Sequence, residues 1–144
     1  MDAATFRKLV RVHAVGTVFE NAAGEVLLLK RRPDTHEGGT YGLVGGTVEA
    51  GETPLEAAVR EVREEIGVTL ETEALELVRR HENLFPAGVV EFDVFRSKTP
   101  LKGENKLDPN EHTGYLWGLQ KDLLPRLDLH AGLADILRHI FKDI

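Results

Sequence analysis

The segment from residue 45 to 68 combines six glutamates with only two arginines, whereas surface helices normally intersperse cations among their acidic residues. The glutamates are Glu49, Glu52, Glu56, Glu61, Glu64 and Glu65. On a helical wheel for Thr53–Ile66, Glu61 and Glu65 share one flank of the apolar stripe, and Glu64 falls just beyond them. Because like charges at this spacing repel one another, three converging carboxylates need a compensating cation. Hard carboxylate oxygens suit Mg²⁺, with Mn²⁺ as the alternative.

A solvated acidic helix face is the other explanation for such a segment, and the surrounding residues argue against it. Their order is Gly, five residues, Glu, seven residues, Arg-Glu-apolar, one residue, Glu-Glu, one residue, Gly-apolar. These positions are filled by Gly46, Glu52, Arg60, Glu61, Val62, Glu64, Glu65, Gly67 and Val68. Average residue usage would produce this set on the order of once in 10⁹ starting positions. The pattern resembles, without a gap, the signature of the MutT-like Nudix hydrolases, which places the Nudix box at residues 46–68.

This resemblance implies a metal-dependent hydrolase that cleaves the diphosphate linkage of a nucleoside triphosphate or another nucleoside diphosphate derivative and releases a nucleoside monophosphate. Cleavage of NDP-sugars or ADP-ribose is an alternative within the same family. A non-catalytic Nudix domain that binds a nucleotide as a regulator is another, although such domains often lose box glutamates. Action on RNA 5′ ends is disfavoured, because the longest basic run is Lys30-Arg31-Arg32.

The resemblance also assigns the metal ligands. It implies that Glu61 and Glu65 bind Mg²⁺ or Mn²⁺ directly, that Glu64 shares in the binding, and that the carbonyl oxygen of Gly45 completes the set. A divalent cation held there would offset phosphate charge and lower the pKa of a bound water.

Further residues receive catalytic or supporting roles. Arg60 is expected to orient a catalytic glutamate, and Glu52 to support the loop before the helix. The general base is left open among Glu61, Glu64 and Glu111, since family members differ in its origin. Glu111 belongs to the run Asp-Pro-Asn-Glu-His, whose order before a later Tyr and Trp is similar to several nucleotide-processing relatives.

Arg31 and Arg32 are candidate substrate-binding residues. They follow a predicted strand next to the box, and guanidinium groups form paired hydrogen bonds with phosphate oxygens. Surface arginines are common, so an ordinary solvent-exposed role is the competing interpretation.

The helix that carries the box is the element that local signals predict most clearly. Thr53 is a typical N-cap, Pro54 suits the first helical position, and Glu56 completes a capping box. Gly67 after Ile66 is the expected helix stop. The sequence therefore predicts a helix over 53–66.

Apolar alternation and turn residues predict the remaining elements. Residues 10–19 and 25–30 read as a β-hairpin, and 68–80 and 89–96 as strands joined by a turn at 81–88. A polar loop over 97–114 is expected to border the substrate site. A strand at 115–119 and a helix over 128–142 follow. The order predicts a mixed α and β fold, which the resemblance specifies as a Nudix-like α/β/α sandwich with a mixed central sheet.

Composition sets the outer limits. A chain of 144 residues is of single-domain size, so we expect one Nudix hydrolase domain over 1–144. The formal net charge of −6 argues against duplex nucleic acid as a partner, and the resemblance implies a small-molecule nucleotide substrate. No window approaches the roughly 20 apolar residues of a membrane helix, and no signal peptide is evident, so we expect a cytoplasmic protein. Many relatives dimerise, which leaves a homodimer open.

Overall fold

The computed structural model describes residues 10–34, 38–85, 88–101, 112–130 and 132–140. Its strands are β1 (Val10–Val18), β2 (Val26–Arg31), β3 (Tyr41–Gly42), β4 (Val44–Thr47), β5 (Leu75–Phe85), β6 (Gly88–Ser97) and β7 (His112–Gly118). Its helices are α1 (Pro54–Ile66), α2 (Gln120–Leu123) and α3 (Leu133–Ile140), with a 3₁₀ turn at Thr72–Ala74. None of the helices in these ranges is long and apolar enough to span a bilayer.

The strands form two sheets. One has four strands in the order β4-β1-β6-β5, with β1 and β6 parallel and the other neighbours antiparallel. The other has three antiparallel strands in the order β3-β2-β7. Helix α1 buries Val62 and Ile66 against Leu27 and Leu29 of β2. Because Leu28 points the other way, it packs in a second cluster with α2 and α3. The predicted α/β/α sandwich with a mixed sheet is confirmed.

The predicted hairpin of the first two strands is wrong. Strand β1 pairs with β4 and β6, whereas β2 pairs with β3 and β7 in the other sheet. Only an isolated bridge between Glu20 and Val26 joins the two segments. The turn residues between β1 and β2 are compatible with a hairpin and with a connection between two sheets. The chain forms the connection because pairing with other strands places β1 and β2 in different sheets.

The third predicted strand starts and ends too early. Strand β5 begins at Leu75, after the 3₁₀ turn, and it continues through Phe85, where a turn over 81–88 was expected. The antiparallel ladder with β6 supplies backbone partners as far as Phe85 and Gly88. Pro86 and Gly88 mark a turn in the sequence, but they do not indicate how close to that turn the paired strands continue.

The C-terminal region differs in similar ways. Helix α3 begins at Leu133 instead of residue 128, because the backbone before it is tied to β3. The N–H of Tyr41 donates to the carbonyl of Asp128 at 2.8 Å, and the N–H of His130 donates to the carbonyl of Tyr41 at 2.7 Å. Strand β7 begins at His112, inside the predicted loop, and α2 had not been predicted.

Helix α1 agrees closely with its prediction. The Thr53 side chain accepts a hydrogen bond from the N–H of Glu56, whose side chain accepts one from the N–H of Thr53. Gly67 adopts the left-handed conformation, with φ of 71°, and its N–H donates to the carbonyl of Arg63. These caps satisfy backbone groups that a helix end otherwise leaves unpaired.

Candidate active site

A cavity of about 430 Å³ opens beside the glycines that precede the box helix. Gly45 and Gly46 of β4 form part of its wall. Much of the remaining wall is apolar, contributed by Val12, Ala14, Leu43, Val90, Phe92, Leu133 and Ile136. Polar lining comes from Arg31, Thr47, His81, His112, His130 and Asp135. A pocket of this size and composition is typical of small-molecule binding sites.

Glu61 lies against the backbone of β4. It is a buried carboxylate, and a Cβ built on Gly46 would stand 2.6 Å from the Cδ atom of Glu61. Any side chain at residue 46 would therefore displace this carboxylate. The glycine is needed for close approach, and it places the Glu61 carboxylate against a residue of the cavity wall.

Glu65, one turn further along the helix, is more deeply buried, with 1% of its surface exposed. Its Oε1 accepts a hydrogen bond of 2.8 Å from the N–H of Gly45. Its Oε2 lies 3.2 Å from Nε2 of His112 on β7. The carboxylate is thus held between two segments that both line the cavity.

Arg60 is the hub of the acidic segment. Its Nε and Nη2 donate to the two oxygens of Glu52 at 2.8 and 3.0 Å, and Nη2 also donates to the carbonyl of Thr47 at 3.0 Å. Its Nη1 donates to Glu61 at 2.8 Å and to Glu64 at 3.1 Å. These hydrogen bonds lower the pKa of Glu52 and raise that of Arg60. Arg60 thus contacts both Glu52 and Glu61, and the positioning roles of Arg60 and Glu52 stay predictions.

Glu64 stands apart from the other two predicted ligands. Half of its side-chain surface is exposed, at 50%, and it is tied to Arg60. Within the described ranges, no three acidic or histidine side chains converge closely enough to form a complete metal site. The three carboxylates therefore divide into two buried groups and one that faces solvent.

A magnesium ion nevertheless fits this donor set. Mg²⁺ usually keeps several waters and is held by one or two carboxylates together with substrate phosphates, so it does not need a complete protein cage. Glu61 and Glu65 offer buried carboxylate oxygens against Gly46 and Gly45 of the cavity wall, and each oxygen has lone pairs beyond those used within the protein. Four carboxylates share the single guanidinium of Arg60, which leaves negative charge for a cation to neutralise.

The two candidate phosphate-binding arginines are placed differently. Arg31, at the end of β2, lines the cavity. Arg32 donates from Nε to Asp34 at 3.1 Å and is not part of the described cavity wall. Its hydrogen bond lowers the pKa of Asp34. Of the pair, only Arg31 meets the cavity in the part of the chain that the structure describes.

Glu111, the loop candidate for the general base, lies outside the described residues. Three histidines without a predicted role line the cavity, namely His81, His112 and His130. No spacing signal could have found them, because they come from β5, β7 and the segment before α3. Burial lowers the pKa of His81 below its ordinary value.

Comparison with known proteins defines the class. The NUDIX domain model matches residues 10–140. The structure of a MutT protein from Methanosarcina mazei superposes with a TM-score of 0.83 at 25% identity, covering 94% of this chain and 96% of the other. For a MutT NUDIX hydrolase from Burkholderia pseudomallei the TM-score is 0.76 at 26% identity, covering 90% and 98%. The chain therefore belongs to the NUDIX domain family, and its similarity lies with MutT-type members.

A sequence relative carries a more specific name. The 8-oxo-dGTP diphosphatase of Escherichia coli strain K12 is 41% identical over 56 residues, which cover 39% of this chain and 43% of that protein. The match spans less than half of that relative.

Proposed function

We propose that this chain is a Mg²⁺-dependent hydrolase that cleaves the diphosphate linkage of a nucleoside triphosphate or another nucleoside diphosphate derivative and releases a nucleoside monophosphate. The observation that carries the proposal is the placement of two buried carboxylates, Glu61 and Glu65, against the two glycines that line the cavity. These residues occupy matching positions of the Nudix box in a chain that belongs to the family.

Glu61 and Glu65 would hold the metal, with Glu64 and the carbonyl of Gly45 as further ligands. When bound, Mg²⁺ supplies positive charge against the phosphates and makes a bound water more acidic. Arg60 holds Glu61 from the side by a 2.8 Å hydrogen bond, which limits the positions that this carboxylate can adopt. Arg31 would pair with phosphate oxygens at the cavity wall.

The reaction balances as a hydrolysis. A water oxygen forms a bond to one phosphorus, the bond between that phosphorus and the bridging oxygen breaks, and the leaving phosphate departs with the electron pair. Glu61, Glu64 and Glu111 are the candidates to accept the proton of the attacking water. The apolar wall that contains Phe92 and Ile136 suits the planar face of a nucleobase.

Triphosphates rank first among the substrates because the named relative is an 8-oxo-dGTP diphosphatase and the similar structures are MutT proteins. The test is product chromatography after incubation of the purified protein with Mg²⁺ and a substrate panel. The panel contains dNTPs, 8-oxo-dGTP, NDP-sugars, ADP-ribose and dinucleoside polyphosphates. Monophosphate plus pyrophosphate from a triphosphate is the expected result.

Other outcomes would redirect the proposal. A monophosphate plus a sugar phosphate would indicate NDP-sugar or ADP-ribose cleavage. Binding of one panel member without turnover, in protein that binds Mn²⁺, would contradict the enzymatic proposal and support a regulatory domain. The Glu65→Gln variant, purified in the same way, is the control for contaminating phosphatases.

A further inference from the structure

The contact between His112 and Glu65 links two parts of the chain that are distant in sequence. His112 is the first residue of β7, and Glu65 lies in the last turn of α1. The imidazole Nε2 lies 3.2 Å from Oε2 of the carboxylate, with 5% and 1% of the two side chains exposed. Water therefore has little access to either group.

The two oxygens of Glu65 are held from different sides. The N–H of Gly45 donates to Oε1 at 2.8 Å, and His112 faces Oε2. A buried carboxylate without such partners would carry a large desolvation penalty. Rotation about the side-chain bonds would break both contacts, so the contacts constrain that rotation. Together they orient the carboxylate relative to Gly45 and the cavity.

We propose that His112 is a positioning residue that holds the Glu65 carboxylate in the orientation required for metal binding. The proposal rests on the proposed metal-dependent function and extends it to a residue outside the Nudix box. Polar groups that contact metal ligands from behind fix ligand geometry, and their loss typically weakens metal affinity by about 10–100-fold. His112 acts through Glu65 and need not touch the substrate.

The test measures Mn²⁺ binding without substrate, by electron paramagnetic resonance of the free ion, for wild type and three variants. His112→Gln places an amide N–H close to the position that Nε2 occupies in the histidine. His112→Asn places its amide closer to the backbone, near the position of Nδ1 and short of Glu65. We expect the Kd for Mn²⁺ to rise about 10–100-fold in His112→Ala and His112→Asn, and to stay within a few-fold of wild type in His112→Gln. If His112→Ala does not fold, the comparison of His112→Asn with His112→Gln still tests the proposal.

A control comes from a second histidine-carboxylate pair, in which the carboxylate is buried and the histidine is half-buried. Nε2 of His13 lies 3.0 Å from Oδ2 of Asp93, outside the described wall of the cavity. His13→Asn should lower the melting temperature measured in chelator without changing the Kd for Mn²⁺. A His112→Asn variant that behaves in the same way, losing stability but binding Mn²⁺ normally, would reduce His112 to a structural residue and overturn the inference.

The experiment separates this inference from the proposed function. Normal Mn²⁺ affinity in all His112 variants, with wild-type turnover intact, overturns the positioning role and leaves the function standing. Absence of Mn²⁺ binding by wild type overturns both. In steady state, a positioning role predicts a lower kcat for His112→Asn at subsaturating Mg²⁺, with partial recovery as Mg²⁺ is raised.

Discussion

Two clusters of carboxylates differ in how their charge is balanced. The box cluster consists of Arg60, the four carboxylates that its guanidinium contacts (Glu49, Glu52, Glu61 and Glu64), and Glu65 one turn further along α1. The Asp93 cluster consists of Arg11, His13, Arg80, Glu91 and Asp93. Its two carboxylates are matched by two arginines, and His13 adds a further polar partner.

Burial is similar in the two clusters, so burial does not identify the functional one. Asp93 is fully buried at 0% exposed, and Nε of Arg80 donates to its Oδ1 at 2.8 Å. Glu61 and Glu65 are also buried. The box cluster differs from the Asp93 cluster in its surplus of negative charge around Arg60 and in the neighbouring cavity. A carboxylate neutralised inside the protein is structural, whereas surplus carboxylates beside a cavity need a cation from outside.

The largest contrast is expected from removing one charge in each region. Glu65→Gln should reduce kcat by on the order of 10³-fold, because charge stabilisation through the metal carries most of such chemistry. Asp93→Asn should lower the free energy of unfolding by about 1–3 kcal/mol while keeping activity near wild type. Steady-state kinetics and urea unfolding measure both effects. Comparable loss of kcat in the two variants would remove the distinction between the clusters.

Added metal should stabilise the protein through the box cluster, where negative charge is in surplus, and not through the Asp93 cluster. At 100 times its Kd, Mg²⁺ that binds only the folded state adds about 2.7 kcal/mol, which raises the melting temperature by roughly 5–10 °C in a protein of this size. The shift should persist in Asp93→Asn and disappear in Glu65→Gln. Calorimetry with and without chelator makes the comparison. An unchanged wild-type melt at millimolar Mg²⁺ would count against the metal site.

A smaller effect should follow from crowding Glu61. Gly46→Ala places a methyl group in the space of the Glu61 carboxylate, and we expect about a tenfold loss of kcat, equivalent to about 1.4 kcal/mol. Gly114 on β7 is the matched control, because a Cβ there meets nothing within 4 Å among the described atoms. Gly114→Ala should leave kcat within about twofold. Equal losses in the two variants would show that general strand effects are responsible.

The smallest effect concerns acid. Arg60 lowers the pKa of Glu52, so ionised Glu52 stabilises the fold at neutral pH, and this contribution is lost as the pH falls through the folded-state pKa. That window lies below about pH 4.5, the upper end of the ordinary range of glutamate. Urea unfolding of Glu52→Gln should show lower stability than wild type at pH 7 and a smaller difference at pH 3. A constant difference across this range would contradict the role of the charge.

Most of the box helix could be predicted from the sequence, because its signals are local. The capping box of Thr53 and Glu56, the proline at the first position and the glycine stop all act within one or two turns. The pairing of β1 could not, since its partners β4 and β6 lie tens of residues away in the chain. Apolar alternation marks a segment as a strand without naming its neighbour.

In the candidate site, the sequence by itself determined two properties. Residue spacing determined which carboxylates lie on the acidic face of α1, because side chains follow the helical period. Composition determined that their negative charge exceeds the positive charge of nearby cations. Tertiary structure decided which of them are buried. It set Glu61 on Gly46, placed Glu65 between Gly45 and His112, and left Glu64 half-exposed. The physical reason is that burial and contact between distant segments depend on how sheets and helices pack, and no local pattern encodes that arrangement.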